Sequence, residues 1–424
     1  MAALYFRRKK KNSVVFFHPN CLDCAGGERV LWAAVDSLKD KNIDIAIYSQ
    51  ECTYDQAKEK IFKSFDMVIP SHLRFINVGT ADFIKPGRYP RFTLIMQALS
   101  SIVYVFKCLM KEVPSVVIDT TGAPFASFVW KLFGGCTVIF YIHYPYISTD
   151  MLSKVKSNET SFNNDQEIAK SSFLTNIKIL YYRILCFFYS LTSKFMDITM
   201  VNSTWTSNHI ESIYGKKPVI LYPPCDCRQF GEFPIENREK GFILSVGQFR
   251  PEKNYFLQLE IMEKLSKINE KAHLVIVGGC RNEIDRLLLN DLQKVIDEKK
   301  LKVELCPNVP YEQLKQLLRK ADIGLHTMRD EHFGICVVEY MAAGLIPISN
   351  RSAGPLMDIV KDTNYLALTC DEYVEKLERA LNDHSDDVRI RFRKESQKFS
   401  LENFEQNFIK INIDIIQKSL NKTL

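Results

Sequence analysis

One alternation runs twice along this chain and limits what it can fold into: a short apolar run, a turn, a helix-like stretch, then another run. Val14–His18 is followed by a glycine turn (Ala25-Gly26-Gly27) and a helix-like stretch through Leu38. Ile43–Tyr48, Ser115–Asp119 and Thr137–His143 are further β-branched or aromatic runs bounded by turn residues. Such runs between helical patterns read as βαβ units, hence parallel sheet. Their continuous apolar character fits strands covered on both faces. After Tyr222-Pro223-Pro224, residues 225–241 are polar and lack apolar periodicity, which reads as a linker. The alternation then restarts, with strands expected at Phe242–Val246, His273–Val277, Val303–Cys306, Asp322–Thr327 and Ile346–Ser349.

The expected fold is therefore α/β, with two doubly wound Rossmann-like domains facing a central cleft. The boundaries expected are 1–224, a linker 225–241, 242–400, and a C-terminal helix 401–424. That helix places Leu401, Phe404, Phe408, Ile411 and Ile415 at helical spacing and needs a partner surface, expected on the first domain. Ligands of such folds bind at the carboxyl ends of the strands.

Composition narrows the function classes. At 424 residues the chain exceeds one ordinary core and suits two. A net charge of +6 is too small for a dedicated nucleic-acid binder. The cysteine pairs Cys21/Cys24 and Cys225/Cys227 lie too far apart in sequence for a zinc site, so reduced thiols are expected. Residues 1–12 carry Arg7, Arg8, Lys9, Lys10 and Lys11 and do not read as a signal peptide. Residues 92–106 are uncharged but short of the ~20 residues a spanning helix needs, and read as a buried core helix. Residues 168–196 hold Lys170, Lys178, Arg183 and Lys194 but no acid, with a dense apolar series from Phe173 to Phe188. That segment reads either as a core helix or as one lying in an anionic membrane interface.

Four constellations carry chemistry. Gly26-Gly27-Glu28 follows the first strand, where glycines make either a plain tight turn or a close approach for an anion or sugar. Gly247–Asn254 follows another strand and precedes a helix. Arg250 and Lys253 there form either a solvated basic turn or a planar fork plus point charge suited to a diphosphate. Glu331 and Glu339 flank a strand-to-helix junction opened by Phe333-Gly334, one carboxylate in the loop and one on the helix's second turn. His143, at the carboxyl end of a strand within Tyr141-Ile-His-Tyr-Pro-Tyr146, is a candidate for polar substrate contact.

These motifs resemble the GT-B family-4 glycosyltransferases. Glu331 and Glu339 match their Glu-x7-Glu signature around Gly334, and Arg250 and Lys253 stand where that family keeps its diphosphate-binding pair. Residues 17–20, 26–32, 141–145, 147–152, 202–206, 245–254 and 331–335 are similar more narrowly to eukaryotic dolichol-pathway α-1,2-mannosyltransferases. The resemblance implies a retaining enzyme that moves α-1,2-linked mannose from GDP-mannose to a dolichol-diphosphate-linked oligosaccharide, the precursor for protein N-glycosylation. It implies that Arg250 and Lys253 hold the diphosphate, Glu339 the ribose and Glu331 the mannose. Phe333, Gly334 and Ile335 would offer backbone to sugar and phosphate. His143, Gly26 and Gly27 would form the wall over the anomeric centre, and His143, Glu331, Arg250 and Lys253 the catalytic set. No Asp-x-Asp metal clamp occurs, so metal-independent transfer is expected.

The partners implied are a membrane surface and other mannosyltransferases of the pathway, without nucleic acid, at the cytosolic face of the endoplasmic reticulum membrane. Members commonly begin with a spanning segment, so anchorage here is expected from 168–196. Two other readings keep the fold: a related transferase with another lipid or inositol acceptor, and an inactive nucleotide-sugar-binding scaffold.

Overall fold

The structure, a computed structural model, describes residues 1–84, 86–89, 92–147, 172–382 and 386–421. The chain divides into two compact units. The first holds Met1–Asn202, Thr206–Tyr222 and Glu405–Leu424, and the second Ser203–Trp205 and Pro223–Phe404.

The first unit is built on strands β1 (Lys10–Phe17), β2 (Ile45–Ser49), β3 (Arg74–Asn77), β4 (Val113–Asp119), β5 (Thr137–Ile142), β6 (Ile198–Val201) and β7 (Val219–Ile220). They form one sheet in the order β3-β2-β1-β4-β5-β6-β7, every pairing parallel. All seven residues of β4 are buried, as its continuous apolar run requires of a strand covered on both faces. β1 starts earlier than its apolar run, because Lys11 is held by Glu112 at 2.9 Å, and it ends at Phe17, which leaves His18 in the following loop. The basic tail also forms a helix, Ala2–Arg8, whose buried Phe6 meets the ring of Phe106.

The apolar stretch expected over 92–106 is a longer helix, Thr93–Lys111, because Lys107 and Lys111 continue it. Among the described residues it is the one helix long and apolar enough to cross a membrane. It is two-faced rather than wholly core. Ala98, Ser101, Val105 and Cys108 are buried at helical spacing, whereas Leu99, Val103 and Met110 are exposed. A second helix, Ser172–Thr192, exposes Ile177, Leu180, Ile184, Phe187 and Phe188. The two helices meet where the Tyr181 hydroxyl accepts from the Ile95 amide at 3.3 Å and its ring meets Phe92 at 5.8 Å. The start of the 168–196 segment and most of the 147–152 motif fall outside the described residues.

The second unit uses β8 (Phe242–Val246), β9 (His273–Gly278), β10 (Val303–Pro307), β11 (Ile323–His326), β12 (Ile346–Asn350) and β13 (Leu366–Ala367), all parallel in the order β10-β9-β8-β11-β12-β13. Residues 225–241, polar enough to read as a linker, are packed into this unit. A short helix, Cys227–Gly231, buries Cys227 and Phe230, and Phe233 is buried beyond it. The buried Arg238 guanidinium donates to the carbonyls of Leu318 and Ala321. These anchors are irregularly spaced, so no periodicity betrays them. The helix Leu401–Asn421 passes into the first unit, where Asn412 Nδ2 contacts Met200 Sδ at 3.4 Å and the Ser419 and Thr137 hydroxyls lie 2.7 Å apart.

In both sheets the strand order reverses at the centre, between β1 and β4 and between β8 and β11. Loops leaving adjacent strands in opposite directions open a crevice at such a switch point.

Candidate active site

The second unit's switch point is shaped by glycines and tyrosines before any charge is considered. A Cβ on Gly278 would stand 1.7 Å from the Gly247 carbonyl oxygen, so only glycine lets the loop after β8 lie against the end of β9. The Tyr255 hydroxyl bonds the carbonyls of Gly247 and Gln248 at 2.9 and 3.0 Å, and the Thr327 hydroxyl donates to the Lys253 carbonyl at 2.9 Å. The loop is thus tied at both ends. Arg250 begins the one-turn helix Pro251–Lys253, with its guanidinium 45% exposed and 3.9 Å from Glu252.

Lys253 turns inward. Its Nζ lies 2.5 Å from Glu331 Oε2, and the same oxygen lies 3.1 Å from His326 Nε2. Burial pushes the Glu331 carboxyl up, but Lys253 and His326 outweigh it and hold the group well below the ordinary carboxylate range. Burial likewise opposes the Lys253 charge, yet Glu331 raises its pKa above the ordinary lysine value. Burial lowers the His326 pKa despite Glu331, so the ring is neutral near pH 7. An ionised Glu331 only accepts, so Nε2 carries the ring proton. His326 Nδ1 is then a buried acceptor, and it has no partner among the described residues.

Gly334 has φ +104° and caps the helix Ile335–Ala343 without a side-chain hydrogen bond, while its carbonyl accepts from the Val337 amide at 3.0 Å. A Cβ on Gly334 would lie 3.3 Å from Glu331 Cγ. Ile335 is the first residue of the helix, and Glu339, half-buried, lies on its second turn. Phe333 is buried against Phe399 at 5.4 Å, so its ring serves the core, and its backbone packs against Gly354, where a Cβ would stand 2.3 Å from the Phe333 carbonyl oxygen. The second unit thus brings together Lys253, Glu331 and Gly334. His326 joins them, a histidine that reads in the sequence only as part of the strand expected at Asp322–Thr327.

The remaining expected residues belong to the first unit. Gly26 and Gly27 open the helix Gly26–Ser37, and a Cβ on Gly27 would lie 3.6 Å from His143 Nε2. His143 Nε2 donates to the Thr120 carbonyl at 3.1 Å. Burial, with His18 nearby, lowers the His143 pKa to about 4, so the ring is neutral and Nδ1 is an acceptor. Gly27 and His143 line a cavity of about 310 Å³ together with Phe17, His18, Glu28 and Thr120, whereas Gly26 does not line it. Among the described residues no group of three or more His, Cys, Asp and Glu is arranged to hold a metal ion.

Residues 11–214 match the family described as "ALG11 mannosyltransferase N-terminus", and residues 229–399 match "Glycosyl transferases group 1". The chain is 39% identical to the GDP-Man:Man(3)GlcNAc(2)-PP-Dol alpha-1,2-mannosyltransferase of Dictyostelium discoideum, over 96% of this chain and 86% of that protein. The Homo sapiens protein of the same description is 39% identical, over 95% of this chain and 86% of its own length.

The chain belongs to this mannosyltransferase family.

Solved structures agree on the fold. Sucrose-phosphate synthase of Thermosynechococcus elongatus superposes with a TM-score of 0.67 at 14% identity, covering 96% of this chain and 100% of that one. A glycosyltransferase of Rickettsia africae superposes with a TM-score of 0.65 at 14% identity, covering 96% and 98%. Membership of the mannosyltransferase family and this likeness make the chain a GT-B glycosyltransferase, with two parallel Rossmann-like sheets.

Proposed function

We propose that the chain transfers α-1,2-linked mannose from GDP-mannose to a dolichol-diphosphate-linked oligosaccharide. Identity of 39% over nearly the whole chain to proteins described by that reaction supports it, and the Lys253–Glu331 pair beside a helix N-terminus that no side chain caps carries it. In this reading the donor lies on the second unit. Arg250 and Lys253 meet the diphosphate, Gly334 and Ile335 offer backbone amides to it, Phe333 offers backbone to the sugar, Glu331 takes the mannose hydroxyls and Glu339 the ribose. Charge that develops on the departing pyrophosphate is met by two cations and a helix dipole. These suffice without a divalent ion, so turnover is expected to persist in EDTA.

The acceptor lies on the first unit, with Gly27 and neutral His143 at its pocket and Gly26 beside Gly27 in the chain. A lipid-linked acceptor calls for a membrane surface, and the exposed apolar faces of Thr93–Lys111 and Ser172–Thr192 are suited to the cytosolic face of the endoplasmic reticulum membrane. Other mannosyltransferases of the pathway are further expected partners.

The test is incubation of purified protein with GDP-mannose and a short-chain lipid-linked Man3GlcNAc2, with products read by mass. Gain of hexose on the acceptor supports the reading. An unchanged acceptor while a different sugar nucleotide is consumed overturns it.

A further inference from the structure

At the amino ends of the first unit's strands a second cavity opens, of about 430 Å³. Arg7, Lys10 and Lys131 line it, with the hydroxyls of Thr137 and Ser419. Lys10 begins β1 and Thr137 begins β5, whereas His18 and His143 follow the opposite ends of the same two strands. The cavity is therefore separate from the pocket described above. Among the described residues that line it, none is acidic.

The wall is built to gather positive charge. Gly135, at φ +62°, lets Arg7 lie against the backbone, since a Cβ there would stand 3.2 Å from Arg7 Nε. Arg7 donates to the Leu132 carbonyl at 2.8 Å, and Lys10 Nζ donates to the Gly135 carbonyl at 2.8 Å. A carbonyl fixes a side chain without cancelling its charge, so Arg7 keeps its attraction for an anion. Lys131 is paired with Asp197 at 2.6 Å and holds the wall instead. Burial pushes the Cys136 thiol up to about 12 against the pull of Lys10, Lys131 and Arg7, so all three cations act on one point of the lining. Ser419 donates its proton to the Ile415 carbonyl at 2.7 Å, so in its contact with Thr137 the threonine donates. Thr137 Oγ1 is thereby an acceptor on the same wall.

The surroundings are apolar, which a soluble anion would not need. Leu4 and Tyr5 on the helix Ala2–Arg8, Leu132 beside the Arg7 contact, and Met110 near the end of Thr93–Lys111 are all exposed. Phe106 of the long helix meets Phe6 at 6.5 Å and Phe133 at 4.9 Å, which packs these three segments into one surface. Exposed Leu99 and Val103 continue that surface along the same helix, whose first turn meets Tyr181 of Ser172–Thr192. The cavity thus sits at one end of the apolar face already suited to lipid.

We propose that this cavity takes the headgroup of an anionic, hydroxylated phospholipid, with its phosphate at Arg7 and Lys10 and a headgroup hydroxyl donating to Thr137. The acyl chains lie against Leu4, Tyr5 and Leu132. A planar guanidinium fork and an ammonium are the phosphate ligands of choice, and basic pockets beside an apolar surface recognise lipid headgroups. The site does not depend on the transfer chemistry.

The experiment is flotation of the full chain with vesicles of phosphatidylcholine alone, or with equal additions of phosphatidylserine or phosphatidylinositol. The wild type is expected to prefer phosphatidylinositol over phosphatidylserine at equal net charge, because its ring offers hydroxyls to Thr137. Thr137→Val is expected to lose that preference. Arg7→Gln/Lys10→Gln is expected to weaken binding to phosphatidylinositol vesicles by roughly 30-fold, the worth of two basic side chains at an anionic surface. Lys58→Gln/Lys60→Gln removes the same charge from exposed positions on the helix Tyr54–Phe65 and is expected to bind as the wild type does. Unfolding curves on the same preparations show that each variant is folded. Equal wild-type binding to the two anionic vesicles, or equal losses in the two double variants, would reduce the effect to general surface charge and overturn the site. Release of the wild type from phosphatidylinositol vesicles by inorganic phosphate at constant ionic strength would assign the cavity to a soluble anion and overturn the lipid.

Discussion

Lys253 Nζ stands 2.5 Å from Glu331 Oε2 inside the second unit, so the cation expected to meet a diphosphate already holds a carboxylate. The pair is only 21% and 14% exposed, and His326 closes its other side. Such a pair keeps the ammonium charged in a site where burial alone would discharge it. The lysine is therefore preorganised, and a ligand anion adds to a charge network already in place.

Removing one partner should be worse than removing both. Lys253→Met leaves a buried carboxylate facing only a neutral imidazole, and is expected to cost about 3–5 kcal/mol. The double variant Lys253→Met/Glu331→Gln is expected to recover most of that stability and none of the transferase activity. Urea denaturation and mannose transfer on the same samples check both statements. Equal stability of the single variant and the wild type would show that the pair is not what holds this loop.

Gly334 needs its left-handed backbone. A side chain at φ +104° is strained, and its Cβ would crowd Glu331 Cγ at 3.3 Å. Gly334→Ala is expected to lose about 1–3 kcal/mol and to lower kcat/KM for GDP-mannose as Glu331 moves. Thermal unfolding and steady-state kinetics measure the two effects, and an alanine variant with unchanged kinetics contradicts the assigned geometry.

Asp119 makes stability depend on pH in the acid range. Burial raises its pKa to about 6 from an ordinary 3.8, although the Thr121 and Gly122 contacts pull the other way. The folded state therefore binds this proton more tightly than the unfolded one. The resulting stabilisation is complete below pH 3.8 and is lost as pH rises through about 6. At about 1.4 kcal/mol per pH unit, this amounts to about 3 kcal/mol. Asp119→Asn keeps the Oδ1 acceptor and removes the titration, so its stability between pH 4 and 7 should fall less than that of the wild type. Parallel profiles for the two proteins would contradict the assignment.

The exposed apolar face should matter to lipid binding and not to folding. Leu180 and Phe187 are 58% and 60% exposed. Leu180→Glu/Phe187→Glu is expected to leave the unfolding midpoint within a few degrees of the wild type. The same variant should lose flotation with vesicles containing anionic lipid. Flotation equal to the wild type would place the membrane contact elsewhere.

Much of this molecule can be read in its residues, for a physical reason. Parallel strands covered on both faces must be continuous apolar runs, so β4, β5, β8 and β9 are visible without a structure. The Lys253 and Glu331 motifs are local in sequence, and each sits directly after a strand. What stayed hidden depends on distant groups meeting. His18 and Thr120 are separated by a hundred residues and join only because β1 and β4 are neighbours. Glu28 is legible only as the end of the glycine turn, and neither its contact with the Ala25 amide nor that with the His18 ring shows in the sequence. His326 reads as a strand terminus until Glu331 folds back onto it. The packing of 225–241 was concealed by polarity, since Phe230, Phe233 and Arg238 anchor it without any repeat.

The most direct measurement of the donor-site account is calorimetric titration of GDP into the wild type, Arg250→Ala and Thr120→Val, all in EDTA. Arg250 is 45% exposed, so its loss should leave the fold intact, which unfolding curves verify. The account predicts that the wild type binds GDP without divalent metal, that Arg250→Ala binds at least tenfold more weakly, and that Thr120→Val binds as the wild type does. Equal GDP affinity in Arg250→Ala and the wild type, or wild-type binding that vanishes in EDTA, would contradict it.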